Sequence, residues 1–331
     1  MDPIAFSIPI HLGKLAQLDI RWYGIMMAAS MLLGAFIAAR LLRRLGRNGE
    51  LVWDGLFWII LFGVIGARLV YVITNLSQFG PNPWEMFAVW KGGLSFHGGI
   101  IAGLLATYFF FQNKGVPFIE VMDAFAPGVS LGIILVRIGN YMNGDILGYK
   151  WDGLWAMNFP NDYYHLNNAG AIILRHPTEI YGMLVGLICL LIAMVVWIET
   201  YETHRFPPGA NYLGFVLSYS LVRSLIEEPF RDVPLPWKVV DPATHGYGLY
   251  TTTQLASIVL ILVAIWGLTQ LRKWARLRAE AAKRTPRSGG SSGGSGDGGG
   301  RPVSSVASVA RPGQTRQARR ALEREQQKKI K

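Results

Sequence analysis

The sequence predicts an all-α, polytopic membrane bundle of about seven transmembrane helices. Apolar residues make up 51% of the 331 residues, and the mean hydropathy is +0.28. They arrive in runs of about twenty, the length that crosses a ~30 Å hydrocarbon core. Inside hydrocarbon each backbone N–H and C=O must be satisfied within its own segment, which a helix achieves and an open sheet edge does not.

The runs cover about 22–41, 55–74, 97–112, 122–142, 177–198, 211–227 and 252–271. The first ends in "ARLLRRLGR", which packs Arg40, Arg43, Arg44 and Arg47 into one short connection. Short loops rich in Lys and Arg stay cytoplasmic, so the N-terminus is expected outside. Seven crossings then bring the C-terminus inside, where Arg272, Lys273, Arg276 and Arg278 follow the last run. The opening "MDPIAFSIPI" lacks the basic start of a signal peptide, so no cleavage is expected.

The formal charge of +11 belongs to an appendage. From Arg272 onward there are 16 Lys/Arg against 4 Asp/Glu, a tail of +12, which leaves −1 for residues 1–271. The expected organisation is a transmembrane body over 1–271, with 149–175 as a small extracytoplasmic cap, and a basic, Gly/Ser-rich, largely disordered cytoplasmic tail over 272–331. The stretch "TPRSGGSSGGSGDGGGRP" has no means of burying a core. The last residues, "QTRQARRALEREQQKKIK", read as a solvated tail or a short basic helix at anionic lipid, and no nucleic-acid partner is expected. Cys189 is the only cysteine, set in "GLICLLIAMVV" as a small buried hydrophobe, so thiol chemistry would use a partner's sulfur.

Against this apolar background a few polar residues stand out. "LGIILVRIGNYMNGDILG" puts Arg137 one to two turns from the outer end of the fourth run, with Asn140 and Tyr141 on its face. Asn143 and Asp145 follow. In the sixth run Tyr219, Arg223 and Glu227 are spaced i, i+4, i+8, a single polar stripe. "DIRWYGIMM" places Tyr23 in the first turn of the first run, and "KGGLSFHGGIIAG" brackets His97 with two glycine pairs, the second including Gly98. With the predicted orientation all of these lie at similar depth on the outer side. An arginine at membrane depth costs at least ~2.5–3.5 kcal/mol and marks a ligand site or pathway. Two near one another call for an anion between them, and a lipid phosphate diester is one whose oxygens suit guanidinium forks. Plainer readings stand beside this one: Arg223 paired with Glu227, Arg137 snorkelling outward, a structural His97, and Tyr23 and Tyr141 as interfacial aromatics.

These stretches resemble the bacterial prolipoprotein diacylglyceryl transferase family over roughly residues 15–272. The family's "GRxGNFxNGExxG" appears as "VRIGNYMNGDILG", its "GGxSFHGG" as Gly92 to Gly99, its "RHPSQLYE" as "RHPTEIYG", and its first span as "RWYG". The resemblance implies transfer of diacylglycerol from phosphatidylglycerol to the lipobox cysteine of a prolipoprotein, giving a thioether-linked lipid and glycerol phosphate at the bacterial inner membrane. It puts phosphatidylglycerol against Arg137, Asn140, Asn143, Asp145 and Gly98, and links His97, Tyr23, Arg223 and Glu227 with activity. Asp145 replaces the family's usual Glu, and "IEEPFRDVP" departs from its acid, two aromatics and arginine, which puts the equivalence of Arg231 in question.

Chemically, Arg137 and Arg223 would neutralise charge growing on the leaving phosphate, and Asn140 would orient a headgroup oxygen. A thiol is a poor nucleophile until deprotonated, and an imidazole such as that of His97 is suited to accept its proton. Tyr23 would hydrogen-bond phosphate or thiolate. No metal or other cofactor is expected, because the six histidines form no HxxxH or HExxH pair. The rivals are a lipid or organic-anion transporter, which needs polar positions reaching the inner face, and a structural anchor for the basic tail.

Overall fold

Long helices stand where the apolar runs do. The computed structural model describes residues 2–12, 15–80, 82–144, 146–159, 173–233 and 247–284. Among these are seven long α-helices: α1 Trp22–Arg44, α2 Leu51–Thr74, α3 Phe96–Asn113, α4 Phe118–Asn143, α5 Thr178–Tyr201, α6 Ala210–Ile226 and α7 Thr252–Arg284. Five of them, α1, α2, α4, α5 and α7, are long and apolar enough to cross a membrane. The other two, α3 and α6, are shorter, with 18 and 17 residues.

Two features differ from expectation. The chain begins with an antiparallel hairpin, β1 Ile4–Leu12 and β2 Leu15–Arg21, with Ser7 paired to Asp19. Alternation of Ile4, Phe6 and Ile8 with smaller residues is a strand period, and Trp22 N donates to Pro3 O as the hairpin runs straight into α1. At the other end, α7 does not stop at residue 271 but continues through Arg284. The stretch "LRKWARLRAEAAKR" is rich in good helix formers, which carry the helix beyond its apolar part. Residues 285–331, most of the predicted tail, lie outside the described residues.

The hub is α4, which packs against α1, α5 and α6, while α2 pairs with α3 and α6 also meets α5 and α7. The buried apolar core (Ala35, Ala38, Leu42, Val52, Phe111, Val121, Trp197) gathers where α1 ends and α2 and α4 begin. At that end of the bundle the loop arginines are used as ties. Arg47 donates to both oxygens of Glu120 at 2.8 and 3.0 Å, and Arg44 to Glu202 at 3.1 Å. The bond to Glu120 raises the Arg47 pKa.

The same end holds a buried acid that the apolar patterning does not announce. Asp123, 0% exposed, accepts from Tyr201 Oη at 2.7 Å, Gly209 N at 2.6 Å and Tyr212 N at 2.7 Å. The two backbone donors belong to the first turn of α6, which starts after Gly209 with no cap of its own. Asp123 therefore caps α6 from a neighbouring helix, satisfying orphan N–H groups that would otherwise lack a partner. Asn211 Nδ2 returns a bond to Asp123 O at 2.8 Å.

Candidate active site

At the opposite end, the last turns of α4 and α6 bring three guanidinium groups together around two carboxylates. Arg137, on α4, is 9% exposed and bonds the carboxylate of Glu227, which follows the last turn of α6. Arg223 and Arg231 flank the same carboxylate, each with its Nε 3.9 Å from a Glu227 oxygen. The next residue, Glu228, opens a short 3₁₀ turn, Glu228–Phe230, and accepts from Arg223 Nη2 at 3.2 Å and Arg231 Nη1 at 3.3 Å. Both glutamates are 1% exposed. Buried charges are sustainable when paired in this way, and removing one partner would strand the rest.

The pairing is incomplete in an informative manner. Arg223 Nε and Arg231 Nε are buried and make no hydrogen bond among the described residues. At 3.9 Å they feel the charge of Glu227 without bonding to it. Asn140 lies against Arg137; turned with its oxygen inward, its carboxamide accepts from Arg137 Nη1 at 3.2 Å and donates to Val136 O. Arg223 Nη1 also meets Tyr219 Oη at 3.3 Å, with the guanidinium 5.8 Å above that ring.

Neighbouring helices make room for this cluster. A Cβ on Gly182 of α5 would stand 2.4 Å from Arg137 Nε, so only glycine lets the side chain cross α5. At Gly139 of α4 a Cβ would come 3.0 Å from Tyr23 Cα, so the bare glycine lets α1 approach α4 closely. Gly144 takes a left-handed conformation, φ 66°, and ends α4 just past Asn143.

The described parts of the cap lie beside the same turn. Strands β3 Met157–Asn158 and β4 Leu174–Arg175 pair antiparallel, and Gly148 bridges to Arg231. Arg175, fully buried, donates to Gly148 O at 2.8 Å and Asp232 at 3.0 Å. His176 stacks on Trp151 at 4.3 Å and meets Tyr181 Oη through Nδ1 at 3.1 Å. Burial, with Asp232 nearby, holds the Tyr149 phenol above its usual range. Residues 160–172 of the predicted cap lie outside the described residues.

The predicted site residues thus divide. Arg137, Asn140, Arg223 and Glu227 come together, while Tyr23 packs against Gly139 of α4. His97 stands apart on the first turn of α3, exposed, its ring 6.1 Å from that of Phe96 and without a hydrogen bond or ion pair among the described residues. Gly98 is buried against α2, where a Cβ would lie 2.4 Å from Gly66 O, so its bareness serves the crossing of α2 and α3. Asp145 lies outside the described residues.

Sequence reasoning passed over Glu228 and Gly182 and left Arg231 open. A second acid directly after Glu227 was the available signal for the first. Arg68 was missed altogether. It is buried in α2 and donates to the carbonyls of Glu85, Met86, Gly92 and Gly93, fixing the loop that leads into His97.

Comparison with known proteins identifies the family. The sequence profile described as prolipoprotein diacylglyceryl transferase matches residues 9–270. A phosphatidylglycerol–prolipoprotein diacylglyceryl transferase of Thermus thermophilus is 38% identical over 281 residues, covering 80% of this chain and 98% of the relative. Similarly named proteins of Thermoanaerobacter sp. and Deinococcus radiodurans are 31% and 32% identical, over 80% and 82% of this chain and 95% and 86% of theirs. The chain belongs to the prolipoprotein diacylglyceryl transferase family, a family of transferases in lipoprotein biosynthesis.

Proposed function

We propose that this chain transfers the diacylglyceryl group of phosphatidylglycerol to the thiol of a prolipoprotein lipobox cysteine, with its site on the periplasmic side of the bacterial inner membrane. The observation that carries the reading is the convergence of Arg137, Arg223 and Arg231, two of whose buried Nε donors have no hydrogen bond among the described residues. A phosphate diester supplies the acceptors such donors lack, and the names of the relatives point to the same substrate.

In the reaction the cysteine sulfur bonds to the sn-3 carbon of the diacylglycerol as the carbon–oxygen bond to phosphate breaks. The electron pair stays on the phosphate oxygen, the thiol proton passes to a base, and glycerol phosphate leaves. Arg137, Arg223 and Arg231 meet the charge that grows on the leaving group, and fixed donors of this kind are worth about 3–4 kcal/mol each. Asn140 and Asn143 line the approach of the headgroup, with Asp145 next in the chain. Glu227 keeps the arginines paired when no lipid is present, and Tyr23 would hydrogen-bond the phosphate or the thiolate.

In this reading all seven helices cross the bilayer, the Arg44 and Arg47 end is cytoplasmic, and the N-terminal hairpin is outside. His97, at the start of α3, then faces the outer leaflet and accepts the thiol proton. The transporter reading is not favoured, because the polar node at the other end, around Asp123, is closed by neutral donors.

The test is to incubate the purified chain with phosphatidylglycerol and a lipobox peptide and to weigh the peptide. A mass gain of one diacylglyceryl group is expected, and an unmodified peptide refutes the reading. For the base role, His97→Gln should slow transfer at neutral pH by about 10²-fold. Its rate should recover as pH rises toward the thiol's own range near ~8.5. Undiminished turnover with an unchanged pH profile removes His97 from that role.

A further inference from the structure

Glu228 has no part in the chemistry above, yet it sits at the centre of the best-bonded polar network at this end of the protein. Its Oε2 takes Arg223 and Arg231 at 3.2 and 3.3 Å, and its Oε1 accepts from Thr251 Oγ1 at 3.1 Å. Thr251, 1% exposed, stands just before α7. Its Oγ1 receives Gln254 N at 3.1 Å, and Gln254 Nε2 returns to Ser224 O at 3.0 Å, one residue after Arg223. The bonds form a closed circuit from the end of α6, through Glu228, to the start of α7 and back.

The circuit binds each arginine by one Nη atom and leaves both Nε atoms, which face Glu227, without a hydrogen bond among the described residues. Two like charges held this close splay apart unless a counter-ion fixes them, and Glu227 is already occupied by Arg137.

We infer that Glu228 is a positioning residue, which aligns Arg223 and Arg231 through their Nη atoms and anchors the pair to α7 through Thr251, so that both Nε donors point at one phosphate. Its consequence for turnover rests on the transferase reading; the alignment itself does not. The anchored pair would act on the transition state more than on lipid capture, because Arg137 and the unfilled Nε donors remain present when the alignment is lost.

The experiment uses the full chain in lipid nanodiscs, as wild type, Glu228→Gln, Thr251→Val and Thr251→Ser. Phenylglyoxal labels guanidinium groups according to their freedom, and peptide mass spectrometry reads each site. Glu228→Gln should raise labelling of Arg223 and Arg231 several-fold relative to buried Arg175. It should lower kcat by about tenfold while the KM for phosphatidylglycerol stays within about threefold. Thr251→Val, which keeps the charge and cuts the anchor, should show a smaller loss of the same kind, and Thr251→Ser should restore it. Unchanged labelling in Glu228→Gln overturns the alignment, and raised labelling with an unchanged kcat overturns its role in the reaction. A wild-type chain that transfers nothing sinks the transferase reading, while the labelling still decides the alignment.

Discussion

Helix α4 carries a buried charge near each end, and the two are treated in opposite ways. At its start Asp123 is surrounded by neutral donors, a phenol and two backbone amides, and its oxygens are well supplied with bonds. Near its far end Arg137 meets an acid that two further arginines also approach, and two guanidinium donors there have no hydrogen bond among the described residues. A buried group whose function is to join helices gains by satisfying each valence, since any orphan costs about 1–3 kcal/mol. A group that binds a ligand must keep valences open. The contrast lies between the two charged groups themselves, since the neighbouring Asn211 Oδ1 also lacks a hydrogen bond among the described residues, and burial and charge do not separate the nodes, because both are buried and both are charged.

The contrast breaks or holds on substitutions at the two ends. The largest effect is expected for Arg137→Ala, which removes a donor aimed at the phosphate and strands Glu227. Transfer to a lipobox peptide should fall by about 10²–10³-fold. The folded state should lose about 3–5 kcal/mol, as for a broken buried pair, read by thermal unfolding in detergent. Asp123→Ala should lower stability by about 3 kcal/mol through its stranded donors, yet keep the turnover of the folded fraction within a few-fold. Abolished turnover at unchanged stability would erase the distinction between the two ends.

Gly182→Ala sharpens the comparison without touching a charge. The added methyl meets Arg137 Nε at 2.4 Å, and displacing the guanidinium should cost about tenfold in turnover with about 1–3 kcal/mol of overpacking. The smallest effect is expected for Arg47→Ala. Its bidentate tie to Glu120 is partly solvated, so about 1 kcal/mol of stability is at stake and turnover should not move.

Much of the bundle was legible because hydrocarbon imposes a simple rule on composition. Seven apolar runs became seven helices with ends a few residues from those expected, since a span in lipid must be both apolar and helical. The hairpin before α1 and the extension of α7 escaped, because neither is governed by that rule. Within the site, Arg137, Asn140, Arg223 and Glu227 were readable as polar residues that an apolar run must have a reason to contain. Arg68 broke the same rule in "GVIGARLVYV" and was overlooked beside richer motifs. Its donors all end on backbone carbonyls, which carry no sequence signal of their own.

By itself the sequence determined that the chain is a helical membrane protein with arginines set into apolar helices, because hydropathy and charge act locally along each segment. Only the tertiary structure decided which acid stands among those arginines, that Gly182 opens the crossing for Arg137, and that Glu228 and Thr251 tie α6 to α7. Such contacts join residues far apart in the chain, and their geometry follows from how whole helices pack. No local pattern of residue types contains that information.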